Sequence, residues 1–122
     1  MWRDEANLLD MLIWARRASE YGGRLPEPAF RTDSLVQDAT IRCLEVIGEA
    51  AGRVSAEFRA QHSDIPWAKI TGMRNRLAHD YALVDLSEVW LSATCDCPEL
   101  IARLEPLLPA SAEGISDEWE FL

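Results

Sequence analysis

Between Met73 and Tyr81 the chain gathers Arg74, Asn75, Arg76, His79 and Tyr81, its one concentration of side chains suited to work on a phosphate. Two guanidinium groups, Arg74 and Arg76, can hold a phosphate oxygen and stabilise negative charge as it grows in a transition state. His79 carries an imidazole whose intrinsic pKa lies near neutrality, so it can move a proton. Asn75 can orient an imidazole by hydrogen bonding. Tyr81 offers a hydroxyl that can donate, accept or be modified. The three cysteines, Cys43, Cys95 and Cys97, are an odd count without a C-x2-C pair, so neither a zinc knuckle nor a disulfide framework is indicated, and no metal or cofactor is expected.

Helix geometry limits how these groups combine. Asn75 and His79 are four residues apart and share a face, about 40° off, and Arg76 and His79 are neighbours at a spacing of three. Arg74 and His79 are five apart, about 140° round the axis, and a continuous helix points them away from each other. Either the helix ends near Ala78 and lets His79 swing round, or the site is composite and a second chain supplies the facing half. One histidine also cannot act as proton acceptor and donor together, whereas a twofold dimer would bring two into one cleft. The same residues fit a plain helix end, where a histidine caps carbonyls and answers the dipole. The residues alone leave both readings open.

The elements that must position this segment are all helical. Leu8, Leu9, Leu12, Ile13 and Ala15 fall at helical spacing in a first helix closed by Gly22-Gly23, with Pro26 and Pro28 in a loop. Thr32, Asp33 and Ser34 precede a second stripe, Val36 to Phe58, that predicts one long helix to about Gln61. Gly48 lies inside it and marks close helix–helix approach, with Ala50, Ala51 and Gly52 completing a small-residue patch; the seam of a dimer is one place for it. Pro66 starts the helix that carries the motif. Asp85 with Glu88 resembles a capping box, and Asp96-Cys97-Pro98 opens a last helix stopped by Pro109. Trp67 and Trp90 sit at apolar helical positions and read as core. No segment alternates with period two. The expectation is an all-α, up-and-down bundle of about five helices over residues 1–109, followed by an acidic tail, 110–122, containing Trp119 and Phe121.

At 122 residues the chain is one domain, long enough to bury a core without staples. No apolar run approaches the ~20 residues of a membrane span, and the start, with Asp4 and Glu5, lacks a basic leader, so a cytoplasmic protein without a membrane partner is expected. The net charge of −9 argues against broad nucleic-acid binding, yet Arg42 to Tyr81 holds six bases against five acids. From Glu105 onward there are five acids and no base. Eleven of the twelve bases are arginine, the side chain that grips phosphate bidentately.

Arg74, four residues, His79, one residue, Tyr81 resembles the signature of the HepT-like toxins, a branch of the HEPN superfamily (higher eukaryotes and prokaryotes nucleotide-binding). Phe30 with Asp33, the block from Asp38 to Ala51 that contains Ile47-Gly48-Glu49-Ala50, Ile65-Pro66-Trp67, and Trp90 also fall where that pattern has them. Together they cover about residues 4 to 108. The resemblance implies a homodimeric, metal-independent endoribonuclease with the Arg…His motifs meeting in a cleft between protomers. In that scheme the ribose 2′-OH attacks its own phosphate, Arg74 stabilises the phosphorane, His79 transfers the proton and Asn75 positions the pair. Arg76 would be a surface or phosphate-contacting helper, and Glu49 would lie against an arginine near the site. The family also implies a nucleotidyltransferase antitoxin of the MNT type, which transfers AMP to the motif tyrosine, here Tyr81, and blocks RNA by bulk and charge. A rival reading is a non-catalytic helical subunit of a nucleotidyltransferase complex that binds nucleotide or partner. The net charge supports it, because a nuclease must approach a polyanion.

Overall fold

The computed structural model describes residues 2–80 and 83–109. Its elements are α1 (Trp2–Gly23), α2 (Glu27–Phe30), α3 (Ser34–Arg53), α4 (Ala56–Gln61), α5 (Trp67–His79) and α6 (Leu86–Leu91), then a π-helical turn (Ser92–Asp96), α7 (Cys97–Leu104) and a short 3-10 turn (Glu105–Leu107). The fold is all-α, and no strand occurs among the described residues. The acidic tail 110–122 and Tyr81 lie outside the described residues.

α3 is the centre of the bundle. α1 packs on one side of it and α5 on the other, while α7 and the π turn lean on α1. A helix sandwiched in this way buries more than one stripe. Ile41 and Leu44 join Cys43, Ile47, Ala50 and Ala51 in the core, together with Leu8, Met11, Leu12 and Ala15 of α1. Asp33 caps α3, its carboxylate accepting from the Val36 N–H at 3.0 Å. Trp67 is buried, and Trp90 packs against the core with its indole N–H donating to the Leu25 carbonyl at 3.0 Å.

Three boundaries differ from the sequence expectation, each for a visible reason. α1 runs through Gly22 and Gly23, because Gly22 is a helical contact: an added Cβ there would meet the Ala93 Cβ at 2.6 Å. The long stripe to Gln61 breaks at Val54, which is extended, and Ser55 caps α4 by accepting from the Phe58 N–H at 3.2 Å. Buried Asp4, 51 residues away, fixes that break by accepting from the Ser55 N–H at 2.9 Å and from its hydroxyl at 2.7 Å. These two bonds, from the backbone and then from the side chain, hold the Asp4 carboxyl below its ordinary value.

The last two expected helices are one rod. Pro98 does not stop it, because the wider π turn just before carries the irregularity a proline imposes: its ring would otherwise crowd the Thr94 carbonyl. Within the turn the Cys97 N–H reaches the Ser92 carbonyl, and the Thr94 hydroxyl donates to the Trp90 carbonyl at 2.7 Å. The segment at Pro26 and Pro28 forms the short α2, anchored by fully buried Phe30 and joined to α6 by a hydrogen bond from Arg31 to the Ser87 hydroxyl.

Candidate functional site

The motif lies on the C-terminal half of α5. Trp67 and Leu77 bury this helix, and Ile70 and Met73 pack against the core beside them. The helix is regular through His79, and Asp80 follows as its C-cap, the Asp80 N–H reaching the Arg76 carbonyl at 2.8 Å. His79 is therefore a helical residue. It stands about 140° from Arg74 round one axis, and no hydrogen bond joins the two. His79, Asn75 and Arg76 are exposed, whereas Arg74 is half-buried.

The two arginines have different surroundings. Arg76 reaches across to α6 and pairs with Glu88 at 2.6 Å, with a weaker contact to the Met73 sulfur at 3.8 Å. Glu88 does not close a capping box; Asp85 alone caps α6, accepting from the Ser87 and Glu88 N–H groups. Among the described residues Arg74 has a single polar partner, the Asn75 Oδ1, to which its Nη1 donates at 3.2 Å. Among the described residues no carboxylate pairs with it. Its Nε is buried and has no hydrogen-bond partner. Asn75 is thus joined to Arg74 and not to His79. Glu49 is half-buried on α3, and the arginine beside it is Arg42 of the same helix at 3.8 Å, which also lies 3.9 Å from Glu45.

Gly48, about four turns into α3, lies directly under Arg74. A Cβ added there would stand 2.1 Å from the Arg74 Cβ and 2.8 Å from its Cγ. The close approach read from the sequence is therefore a seam between α3 and α5 of one chain. Gly52 takes no part in it, since a Cβ there would meet nothing within 4 Å.

Two concavities flank α5. A groove of about 270 Å³ is lined by Met73, Arg76, Leu77, Asp80, Leu83 and Glu88, among others, next to the exposed end of the motif. A cavity of about 310 Å³ lies by the first half of α5, between it, α3 and the π turn, with Leu44, Ile47, Ile70 and Leu100 in its wall, and Met73 lines both. Neither Arg74 nor His79 lines it, and its mouth carries the Lys69–Asp96 ion pair at 3.1 Å. Cys97 also faces it, its thiol pushed up to about 12 by burial, with Asp96 adding to the shift. Such a thiol is inert at neutral pH. Among the described residues no three His, Cys, Asp or Glu side chains gather as metal ligands, and no helix is long and apolar enough to cross a membrane.

Comparison with known proteins decides the family. The family described as Ribonuclease HepT-like matches residues 11–107. The chain belongs to the HepT-like ribonucleases. Its class of activity is the cleavage of RNA, and the all-α bundle agrees with that family's HEPN-like fold. A protein of Methanocaldococcus jannaschii named "Putative RNase" is 32% identical over 104 residues, 85% of this chain and 90% of that protein. "Probable ribonuclease HepT" of Thermococcus cleftensis is 38% identical over 78 residues, 64% of this chain and 71% of the relative. A further "Putative RNase", from Caldanaerobacter subterraneus subsp. tengcongensis, is 38% identical over 79 residues, 65% and 70% of the two chains. No solved structure matches.

Proposed function

We propose that this HepT-like ribonuclease is the toxin of a toxin–antitoxin pair, an endoribonuclease whose active site forms between two protomers and whose antitoxin modifies Tyr81. The observation that carries the catalytic assignment is the contrast between the two motif arginines. Arg76 is paired with Glu88, while Arg74 has only the neutral Asn75 beside it among the described residues. An uncompensated guanidinium, half-buried and steadied by one amide, is what a phosphate in an RNA backbone would meet.

The reaction follows from that placement. The ribose 2′-oxygen forms a bond to the adjacent phosphorus, the bond from phosphorus to the 5′-oxygen breaks, and a 2′,3′-cyclic phosphate remains. One His79 takes the 2′-hydroxyl proton, and the His79 of a second copy delivers a proton to the departing 5′-oxygen. Arg74 stabilises the negative phosphorane between these steps. A continuous helix through His79 supports the composite site, because one chain leaves Arg74 and His79 on different sides of α5. Arg76 keeps α5 fastened to α6 through Glu88, and Glu49 remains with Arg42, so both support the frame and not the reaction.

For control, a nucleotidyltransferase antitoxin of the MNT type attaches AMP to the Tyr81 oxygen from ATP, with pyrophosphate leaving. Tyr81 follows His79 by two residues in the sequence, so AMP on it would add bulk and charge to the motif. Arg74→Ala and His79→Ala should each reduce RNA cleavage by at least about a thousandfold with the melting transition retained. Cleavage at the parental rate by either purified variant would refute the assignment. Tyr81→Phe should remain toxic and show no AMP increment in intact mass after co-expression with the antitoxin. The net charge of −9 favours the rival reading, a non-catalytic partner-binding subunit, which predicts that antitoxin binding persists and that no RNA is cut.

A further inference from the structure

We infer that Gly48 is a positioning residue for Arg74: the bare backbone of α3 is the seat on which the arginine's stem rests, and it sets where the guanidinium stands. This rests on the reading that Arg74 meets the phosphate.

The contact cannot be relieved by rotating a side chain. A Cβ at position 48 would stand 2.1 Å from the Arg74 Cβ, 2.8 Å from its Cγ and 3.2 Å from the Ile70 carbonyl oxygen. The Cβ of Arg74 is fixed to the helix, and the Ile70 oxygen is backbone. Restoring ordinary carbon–carbon contact therefore requires α5 itself to retreat by about 1.5 Å. Retreat would strain the Arg76–Glu88 pair, which stands at 2.6 Å about 160° round the axis from Arg74. The spacing between α5 and α3 is set by the absence of one methyl group.

The arginine shows the same thing from its own side. Its Nε is buried without a hydrogen-bond partner, a condition that folded proteins rarely tolerate. The stem of the arginine rests on α3 at Gly48, and its guanidinium is steadied by Asn75 at 3.2 Å. A glycine in a helix interior is unfavourable by itself, so the position is explained by what lies across from it. A positioned guanidinium serves the transition state more than substrate binding, and displacements near 1 Å in such a site can lower rates about a hundredfold.

The test is a double-mutant cycle on the full chain with a fluorescent RNA oligonucleotide, measuring kcat and KM for the parent, Gly48→Ala, Arg74→Lys and the double variant. Gly48→Ala should lower kcat about a hundredfold with KM within about threefold. In the Arg74→Lys background the same change should lower kcat by clearly less than in the parent, because the guanidinium it positions is already gone. Parental kcat in Gly48→Ala, or equal losses in both backgrounds, would overturn the inference. Parental kcat in Arg74→Lys would also overturn it, and would do so by removing the catalytic reading beneath it. Where Gly48→Ala does not fold, Gly48→Ala with Arg74→Gly must regain a cooperative melt, since the opposing Cβ is then gone. A pair that stays unfolded would show that the seat is not the Gly48–Arg74 contact.

Discussion

Gly22 and Gly48 both let helices approach more closely than any side chain would allow, and they face different things. At Gly22, α1 meets the π turn, and an added Cβ would lie 2.6 Å from the Ala93 Cβ and 3.6 Å from the Thr40 methyl. At Gly48, α3 meets α5, and the nearest atom, at 2.1 Å, is the root of an arginine. The first seam joins methyl to backbone and contributes packing alone. The second performs the same packing and also fixes the place of a charge. A small residue at a helix seam is therefore ambiguous between stability and function until the residue across from it is known.

The comparison breaks if turnover does not separate the two seams. Both Gly48→Ala and Gly22→Ala should lower the melting temperature, but only the former should reduce kcat of the folded protein, by about a hundredfold. Equal kcat in the two variants would erase the distinction. The next effect is on stability. Gly22→Ala should cost about 1–3 kcal/mol in urea unfolding through overpacking, and Ala93→Gly in the same chain should return part of it. A third check concerns a link that involves neither glycine. Asp4 titrates below its ordinary value of 3.8 when folded, so the unfolded chain takes up the proton first. Its contribution is complete above that value and is lost as pH falls through the folded-state pKa. Asp4→Asn should remove that part of the acid dependence, as read from unfolding midpoints between pH 5 and about pH 2. The smallest change is Gly52→Ala, which meets nothing within 4 Å and should gain about 1 kcal/mol, with cleavage unchanged. A loss there would show that glycine in α3 matters for something other than contact.

Much of this was legible in the sequence. Periodicity placed the α1 and α5 stripes and the apolar positions of Trp67 and Trp90. It also set Arg74 and His79 about 140° apart, and the regular helix through His79 keeps that separation. Gly48 could be read as a close approach. What it approaches could not, since no local pattern ties it to a residue 26 positions away. The break at Val54 was hidden because the apolar spacing continues through it, and the group that stabilises it, Asp4, lies at the start of the chain. Glu88 sat three residues after Asp85 and imitated a capping box, although its carboxylate belongs to Arg76. Pro98 read as a boundary because a proline inside a rod requires an irregular turn before it, and nothing in Ser92 to Asp96 announces one. Tyr81 and the acidic tail lie outside the described residues.

The π turn has a consequence for how this chain can be compared with shorter or longer ones. It holds one more residue than an α-helical turn would, and so sets the phase of everything after it. Loss of a single residue between Ser92 and Asp96 would wind α7 back by about 100°. The Cys97, Leu100 and Leu104 stripe, now buried, would be carried out toward solvent. Such a chain would need its apolar positions moved by one place to keep the same bundle, and a proline at the position of Pro98 would then fall inside an ordinary helix. The site on α5 could stay untouched while the rod behind it changed its reading frame.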